Sequence, residues 1–299
     1  MNDDTPEILP PKLDLPALDK NVFEFRALKN SFLTVFVWVI GILASVPLFS
    51  VIFMLIVEGG SRLDLEAVTA IPPAGFETGG GFGNAILGTL IMVAIASAIS
   101  IPIGIFAALY LSILEPSSKV ATISRFLSKV LTGFPSILAG VFVYAVIVIT
   151  TGTYSAWAGG VALAVLMLPT VTLAAEEAMR QVPQKMKDAA YGMGCTKTQV
   201  IFKIVLPTAL PGILTGVILA VAGAAGESAP LLFTALFSNY YMSELAEPTA
   251  SLSILIYNFS GMPFENQIEL AWSASLVLVF LVLFFNILAR VVGRSKFRD

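Results

Sequence analysis

Apolar and polar positions along the chain sort into long uncharged runs separated by short polar stretches. A helix needs roughly 20 apolar residues to cross a ~30 Å hydrocarbon core. Six runs qualify. The first extends over about 31–57 and the second over about 84–114. No charge occurs from Val130 to Ala175. That stretch is too long for one helix, and turn-forming residues from Thr150 to Ser155 divide it into a third and a fourth span. The fifth runs from near Thr208 to Gly226 with an apolar continuation, and the sixth from about Leu270 to Ala289. The pattern predicts an all-α integral membrane protein with six transmembrane helices.

Composition agrees. Hydrophobic residues make up 57% of the chain and charged residues 12%, against about 25% charged in soluble domains. The placement of Lys and Arg sets the orientation. Lys12, Lys20, Arg26 and Lys29 precede the first run. Lys119, Arg125 and Lys129 lie between the second and third. Arg180, Lys185, Lys187, Lys197 and Lys203 separate the fourth from the fifth, and Arg290, Arg294, Lys296 and Arg298 close the chain. Of 17 basic residues only Arg62 falls on the other side. Both termini are therefore expected in the cytoplasm. The first run is not read as a signal peptide, because an acidic stretch precedes it and it exceeds a signal core in length.

This gives an organisation of a cytoplasmic N-terminal tail (1–30), a first transmembrane helix with its outer loop (31–83), a five-helix core (84–292) containing a cytoplasmic loop at 176–208, and a C-terminal tail (293–299). The tail is acidic and carries Pro6, Pro10, Pro11 and Pro16; an amphipathic lead-in from Phe23 to Lys29 is expected along the membrane face. The glycines at 79–81 and 83 have no Lys-Ser/Thr behind them and no strand ahead, so they read as a flexible turn and not as a nucleotide loop. The outer loop from Ser238 to Glu269 is acidic and aromatic. Its stretch from Ser251 to Phe259 is apolar enough for the membrane interface, with the tyrosines as anchors or as part of a docking surface. The single Cys195 excludes an intrachain disulfide and reads as a packing residue. The absence of histidine removes the usual near-neutral proton carrier.

The loop at 176–208 is a long polar segment in an otherwise oily chain. Pro183 suits the opening of a short helix over Gln184–Tyr191, and Gly192 and Gly194 permit a sharp break. Thr196 with Gln199 forms a capping-box pattern. It predicts a second helix over Lys197–Leu206 with Val200, Ile201 and Ile204 on one face, after which Pro207 and Pro211 bend the chain into the fifth span. Such a helix–turn–helix can dock on a soluble partner or lie as an ordinary interfacial hairpin.

The spacing Asp188-Ala189-Ala190, Gly194, Ile204, Leu206, Pro207 resembles the EAA motif of ABC-importer permeases, with Asp for the usual Glu. Further stretches resemble the permease subunits of phosphate ABC importers. They include Glu176-Glu177-Ala178, the turn from Gly133 to Ile137, Leu210 to Gly216, Gly226 to Leu236, Pro263-Phe264 and Asn286 to Arg290, so that the likeness extends from about Gly81 to Arg290. The resemblance implies the MetI-like permease architecture in a bacterial inner membrane. It implies that Asp188, Ala189, Ala190, Gly194, Ile204, Leu206 and Pro207 form the ATPase coupling surface. It places Pro135, Ser136, Gly226, Glu227, Ser228 and Pro230 along a translocation pathway. Implied partners are a second related permease, two copies of a cytoplasmic ATPase, a periplasmic phosphate-binding protein and membrane lipid, with no nucleic acid. The chain has no Gly-x4-Gly-Lys-Ser/Thr, so no enzymatic activity and no cofactor are expected in it; ATP and magnesium belong to the partner ATPase.

Glu227 stands at the far end of the fifth run and reads as the ionisable residue that belongs to a span. A carboxylate there is a functional candidate unless it is simply hydrated at the outer surface. Gly226, Ser228 and Pro230 favour a helix broken within the membrane. Related permeases often carry Arg four residues before this Glu, where this chain has Gly223, so a cation from another subunit is expected opposite Glu227. The alternatives are an ABC permease for another oxyanion or small solute, an ATP-independent secondary transporter, for which one intramembrane Glu makes a poor proton relay, and a purely structural membrane protein.

Overall fold

A computed structural model describes residues 25–293, and side chains over residues 28–291. The proline-rich tail, the start of the amphipathic lead-in and the last basic cluster lie outside the described residues. Every regular element among the described residues is a helix. The chain divides into two units at Ile52 and Phe53, within helix α1 (Phe25–Ser61). The second unit carries all the features that follow.

After α1 come α2 (Leu65–Thr69) and α3 (Gly83–Leu109), which widens at its end into a π turn (Tyr110–Leu114). Helix α4 (Lys119–Thr132) bends by 105° into α5 (Ser136–Val143), which continues through a π turn (Tyr144–Val148) into α6 (Ile149–Thr151). Then follow α7 (Ala156–Arg180), α8 (Gln184–Gly192), α9 (Lys197–Val200) and a π turn (Ile201–Val205). The chain ends with α10 (Leu206–Ala225), α11 (Ala229–Thr234), α12 (Leu252–Ser260) and α13 (Glu265–Gly293).

Five helical stretches are long and apolar enough to cross a membrane, namely Leu28–Ser61, Gly83–Leu114, Ala156–Arg180, Lys197–Ala225 and Glu265–Val291. The bent pair Lys119–Thr132 and Ser136–Thr151 supplies a sixth. Six spans agree with the sequence, but two boundaries move. The third run, expected from Val130, is divided by the bend, and its straight part Ser136–Thr151 is about 24 Å long at 1.5 Å per residue, short of a ~30 Å core by itself. The residues before it form the amphipathic α4, whose Val120, Ile123, Phe126, Leu127 and Val130 are exposed while Ala121 is buried. An apolar face of that kind suits the membrane interface.

The fifth span starts at Lys197, because the expected second helix of the polar loop runs into it without interruption. Pro207 and Pro211 do not divide it. In the π turn the Leu206 N–H bonds to the Ile201 carbonyl, five residues back. That wider turn relieves the clash a proline ring otherwise makes with the preceding turn.

The core is built where small residues let helices approach, the usual device in a bilayer. At Gly216 a Cβ would lie 2.4 Å from the Ala174 Cβ, and at Gly104 it would lie 2.7 Å from Val171 Cγ1. These contacts join α7 to α10 and to α3. The cluster they seed includes Met92, Leu163, Met167, Val171 and Ile213. A second cluster joins α12 to α3 and α13 through Leu252, Leu255, Phe259 and Leu270. Within the stretch from Ser251 to Phe259, expected at the membrane interface, Leu252, Ile254 and Leu255 are fully buried while Tyr257 is exposed. The glycines near 80 are ordered, not a loose turn. Gly81, Phe82 and Gly83 donate to the carbonyls of Ile71, Ala67 and Ala70, which closes this segment onto α2.

Candidate functional site

Three groups of residues stand out. The first is the polar hairpin of α8 and α9. Pro183 caps α8 and Gln184 opens it. The turn is made at Gly194, whose φ of +85° is left-handed and favours glycine. Thr196 Oγ1 accepts from the Gln199 N–H at 3.3 Å, and Gln199 Oε1 accepts from the Thr196 N–H at 2.9 Å. Both halves of the expected capping box are thus present. Ala190, Val200, Ile201 and Val205 are buried, and all except Ile201 belong to the main core cluster. The opposite side is open. Asp188, Ala189, Gly194 and Pro207 are exposed, Ile204 and Leu206 are half-buried, and Tyr191 and Met193 are uncovered beside them. Asp188 Oδ1 accepts from Gln184 Nε2 at 2.8 Å and takes part in no ion pair among the described residues. The hairpin thus presents one acidic residue, two small residues and an exposed Tyr and Met on a seated base.

The second group surrounds Glu227. Helix α10 ends at Ala225, Gly226 caps it, and α11 begins at Ala229. The break directly follows the apolar stretch Lys197–Ala225. Gly212 faces Ala178 and Gly216 faces Ala174; beyond the break Leu231 faces Gly159, and the Ser155 N–H bonds to the Thr234 carbonyl at 3.0 Å. This antiparallel register sets Glu227 level with the region of Leu163, about 10 Å in from the start of α7 at 1.5 Å per residue. Its side chain is half-buried and forms no ion pair among the described residues. Its main-chain carbonyl, freed by the break, accepts from Ser253 Oγ on α12 at 2.8 Å. Broken membrane helices need such partners.

Pro230 packs on α5, where a Cβ at Gly140 would lie 2.6 Å from the Pro230 Cα. Pro135 and Ser136 sit one turn before Gly140, at the start of α5. Gly223 has nothing within 4 Å of a Cβ position. Beside Gly226 a cleft of about 670 Å³ extends along α13, lined by Leu278, Val282, Asn286 and Arg290.

The third group was not foreseen. Glu176 on α7 is only 4% exposed. Its Oε1 accepts from Arg125 Nε at 2.5 Å and lies 3.2 Å from Arg180 Nε. Arg125 also donates to the Pro116 carbonyl at 2.9 Å and to the Leu111 carbonyl. Glu176 thus falls within the apolar stretch Ala156–Arg180, whereas Glu227 follows the stretch Lys197–Ala225. A signal for Glu176 existed, since Thr172, Ala175, Glu176 and Met179 share the buried stripe of α7, and a Glu on that stripe requires a partner.

A family model for the "binding-protein-dependent transport system inner membrane component" matches residues 100–298, a range containing all three groups. The phosphate transport system permease protein PstA of Yersinia pestis is 38% identical over 246 residues, covering 82% of this chain and 83% of its own length. PstA of Pasteurella multocida is 37% identical over 274 residues, or 92% and 98% of the two chains. The probable PstA of Methanocaldococcus jannaschii is 37% identical over 88% and 93%. Among solved structures, an inward-facing MetNI methionine ABC transporter chain superposes with a TM-score of 0.59 at 20% identity, covering 71% of this chain and 94% of its own. An amino acid ABC transporter chain crystallised with histidines gives 0.54 at 20% identity over 71% and 92%. These two speak for the fold alone. The chain belongs to the family of binding-protein-dependent transport system inner membrane components, and within it to the PstA-type permeases.

Proposed function

We propose that this chain is a transmembrane permease subunit of an ATP-driven phosphate importer in a bacterial inner membrane. The observation that carries this reading is the identity of 37% across 98% of a PstA permease, together with a seated hairpin and a broken fifth span within the family-matched range. Sixteen of the 17 basic residues mark one side. The positive-inside rule makes that side cytoplasmic, with both termini there. The hairpin then faces the compartment that holds ATP.

In this reading the exposed side of the hairpin, centred on Asp188, Ala189 and Gly194, docks into a cleft of a cytoplasmic ATPase, helix in groove. Ile204, Leu206 and Pro207 hold its base. Two ATPase copies bind and hydrolyse ATP with magnesium, and this chain hydrolyses nothing. A second, related permease completes the pathway, and a periplasmic binding protein delivers phosphate. The ATPases act by binding two states of the permease pair unequally.

Gly226, Glu227, Ser228 and Pro230 form the pathway wall at the break after α10, with Pro135 and Ser136 at the cytoplasmic mouth of α5. An anion passing a lone carboxylate is repelled. The open space at Gly223 leaves room for a cation of the second permease, which neutralises Glu227 and attracts phosphate. Reconstitution of the four-component complex in vesicles tests this reading. ATP-dependent uptake of labelled phosphate, competed weakly by sulfate, is expected. Uptake of another oxyanion in preference to phosphate leaves the permease assignment and removes the substrate. Uptake driven by a proton gradient without the ATPase contradicts both.

A further inference from the structure

The cytoplasmic end of α3 is held from two sides. Its last residues form the π turn Tyr110–Leu114, and carbonyls at a helix C-terminus have no N–H ahead of them to meet. Lys197, the first residue of α9 in the coupling hairpin, donates through Nζ to the Leu114 carbonyl at 3.1 Å. Arg125 of α4 donates to the Leu111 carbonyl of the same turn, to Pro116 and to Glu176 of α7. A cation from the hairpin and a cation from α4 therefore grip one helix end, whose partial negative charge favours both.

Two routes lead from the hairpin to the break at Glu227. One is covalent: the helix from Lys197 to Ala225 carries the near side of the break. The other runs through this grip. Helix α4 turns by 105° into α5, and α5 meets the far side of the break where Gly140 abuts Pro230. Without the grip, a displaced hairpin moves α10, while α11 stays with α5 and with the start of α7, against which Leu231 and Thr234 rest.

We propose that Arg125 and Lys197 are positioning residues that make the π turn at the end of α3 a joint, through which the hairpin moves the far half of the broken span in step with the near half. The inference rests on the proposed function and adds two residues to the coupling and pathway positions named above.

The test is the amount of phosphate transported per ATP hydrolysed, measured in vesicles on the assembled complex, with ATPase co-purification as the control for assembly. Lys197→Met removes one exposed hydrogen bond. Arg125→Lys keeps the charge near Glu176 and loses the fork that reaches two carbonyls. Each is expected to lower the ratio several-fold while ATP hydrolysis persists. The double variant should be little worse than Arg125→Lys alone, because both act on one joint. An unchanged ratio in both variants overturns the proposal, as does a proportional fall of transport and hydrolysis. If Arg125→Lys fails to assemble, Lys197→Met decides the matter. A wild-type complex that does not couple phosphate to ATP sinks the proposed function instead.

Discussion

Glu176 and Glu227 are both carboxylates at the ends of apolar helices, yet their surroundings are opposite. Glu176 lies on an unbroken helix, nearly fully buried, with Arg125 and Arg180 against one of its oxygens. Glu227 lies at a break between two helices, half-buried, with only its main-chain carbonyl bonded to a side chain. A buried carboxylate is expensive unless it is paired or hydrated. Glu176 meets that requirement within its own chain, so its charge is spent on holding α4 against α7. The requirement of Glu227 is left to a second subunit or to water. An ionisable residue in a membrane span is thus not a transport residue by location alone; its partners decide.

The comparison is easiest to break at Glu176. Glu176→Leu leaves Arg125 facing apolar surroundings without its counterion. A loss of about 3–5 kcal/mol is expected, read as a lower unfolding midpoint in detergent. A midpoint like that of the wild type would mean that Arg125 is hydrated and the pair is not structural. Next in size is Gly140→Leu, which drives a side chain into the Pro230 backbone. Overpacking of that kind is expected to destabilise by about 1–3 kcal/mol and to reduce uptake beyond the stability loss, because it displaces the far half of the break. Thr196→Ala removes the cap of α9 and should weaken the hairpin by about 1 kcal/mol, seen as faster amide exchange confined to 184–207. Exchange raised equally in α7 would show that the hairpin is not a separate unit. The smallest effect on stability, below about 1 kcal/mol, is expected for Glu227→Gln, since no counterion is lost among the described residues.

The local features were the legible ones. Uncharged runs located the six spans, and the capping pattern at Thr196 and Gln199 located the start of α9, because both signals reside in contiguous residues. The break at Gly226–Pro230 was also visible, as a Gly and a Pro flanking a charge. Other features failed for identifiable reasons. Pro207 reads as a helix end, and only a π turn five residues long lets it stay inside. Leu252 to Phe259 is a short apolar stretch whose periodicity does not separate an interfacial helix from a core helix; its neighbours on α3 and α13 settle that. Glu176 escaped a search for charge-free runs because such a search stops at the first charge, and its partner Arg125 is 51 residues away. The cation expected opposite Glu227 belongs to another chain in the proposed complex.

The most direct test of the contrast is ATP-dependent phosphate uptake by vesicles holding the full complex with Glu227→Gln. The account predicts that uptake falls by at least about tenfold, the scale of one lost charge-assisted contact, while the unfolding midpoint and ATPase co-purification stay at wild-type values. Wild-type uptake by the Glu227→Gln complex would contradict it, and would leave the break in the fifth span as a packing feature.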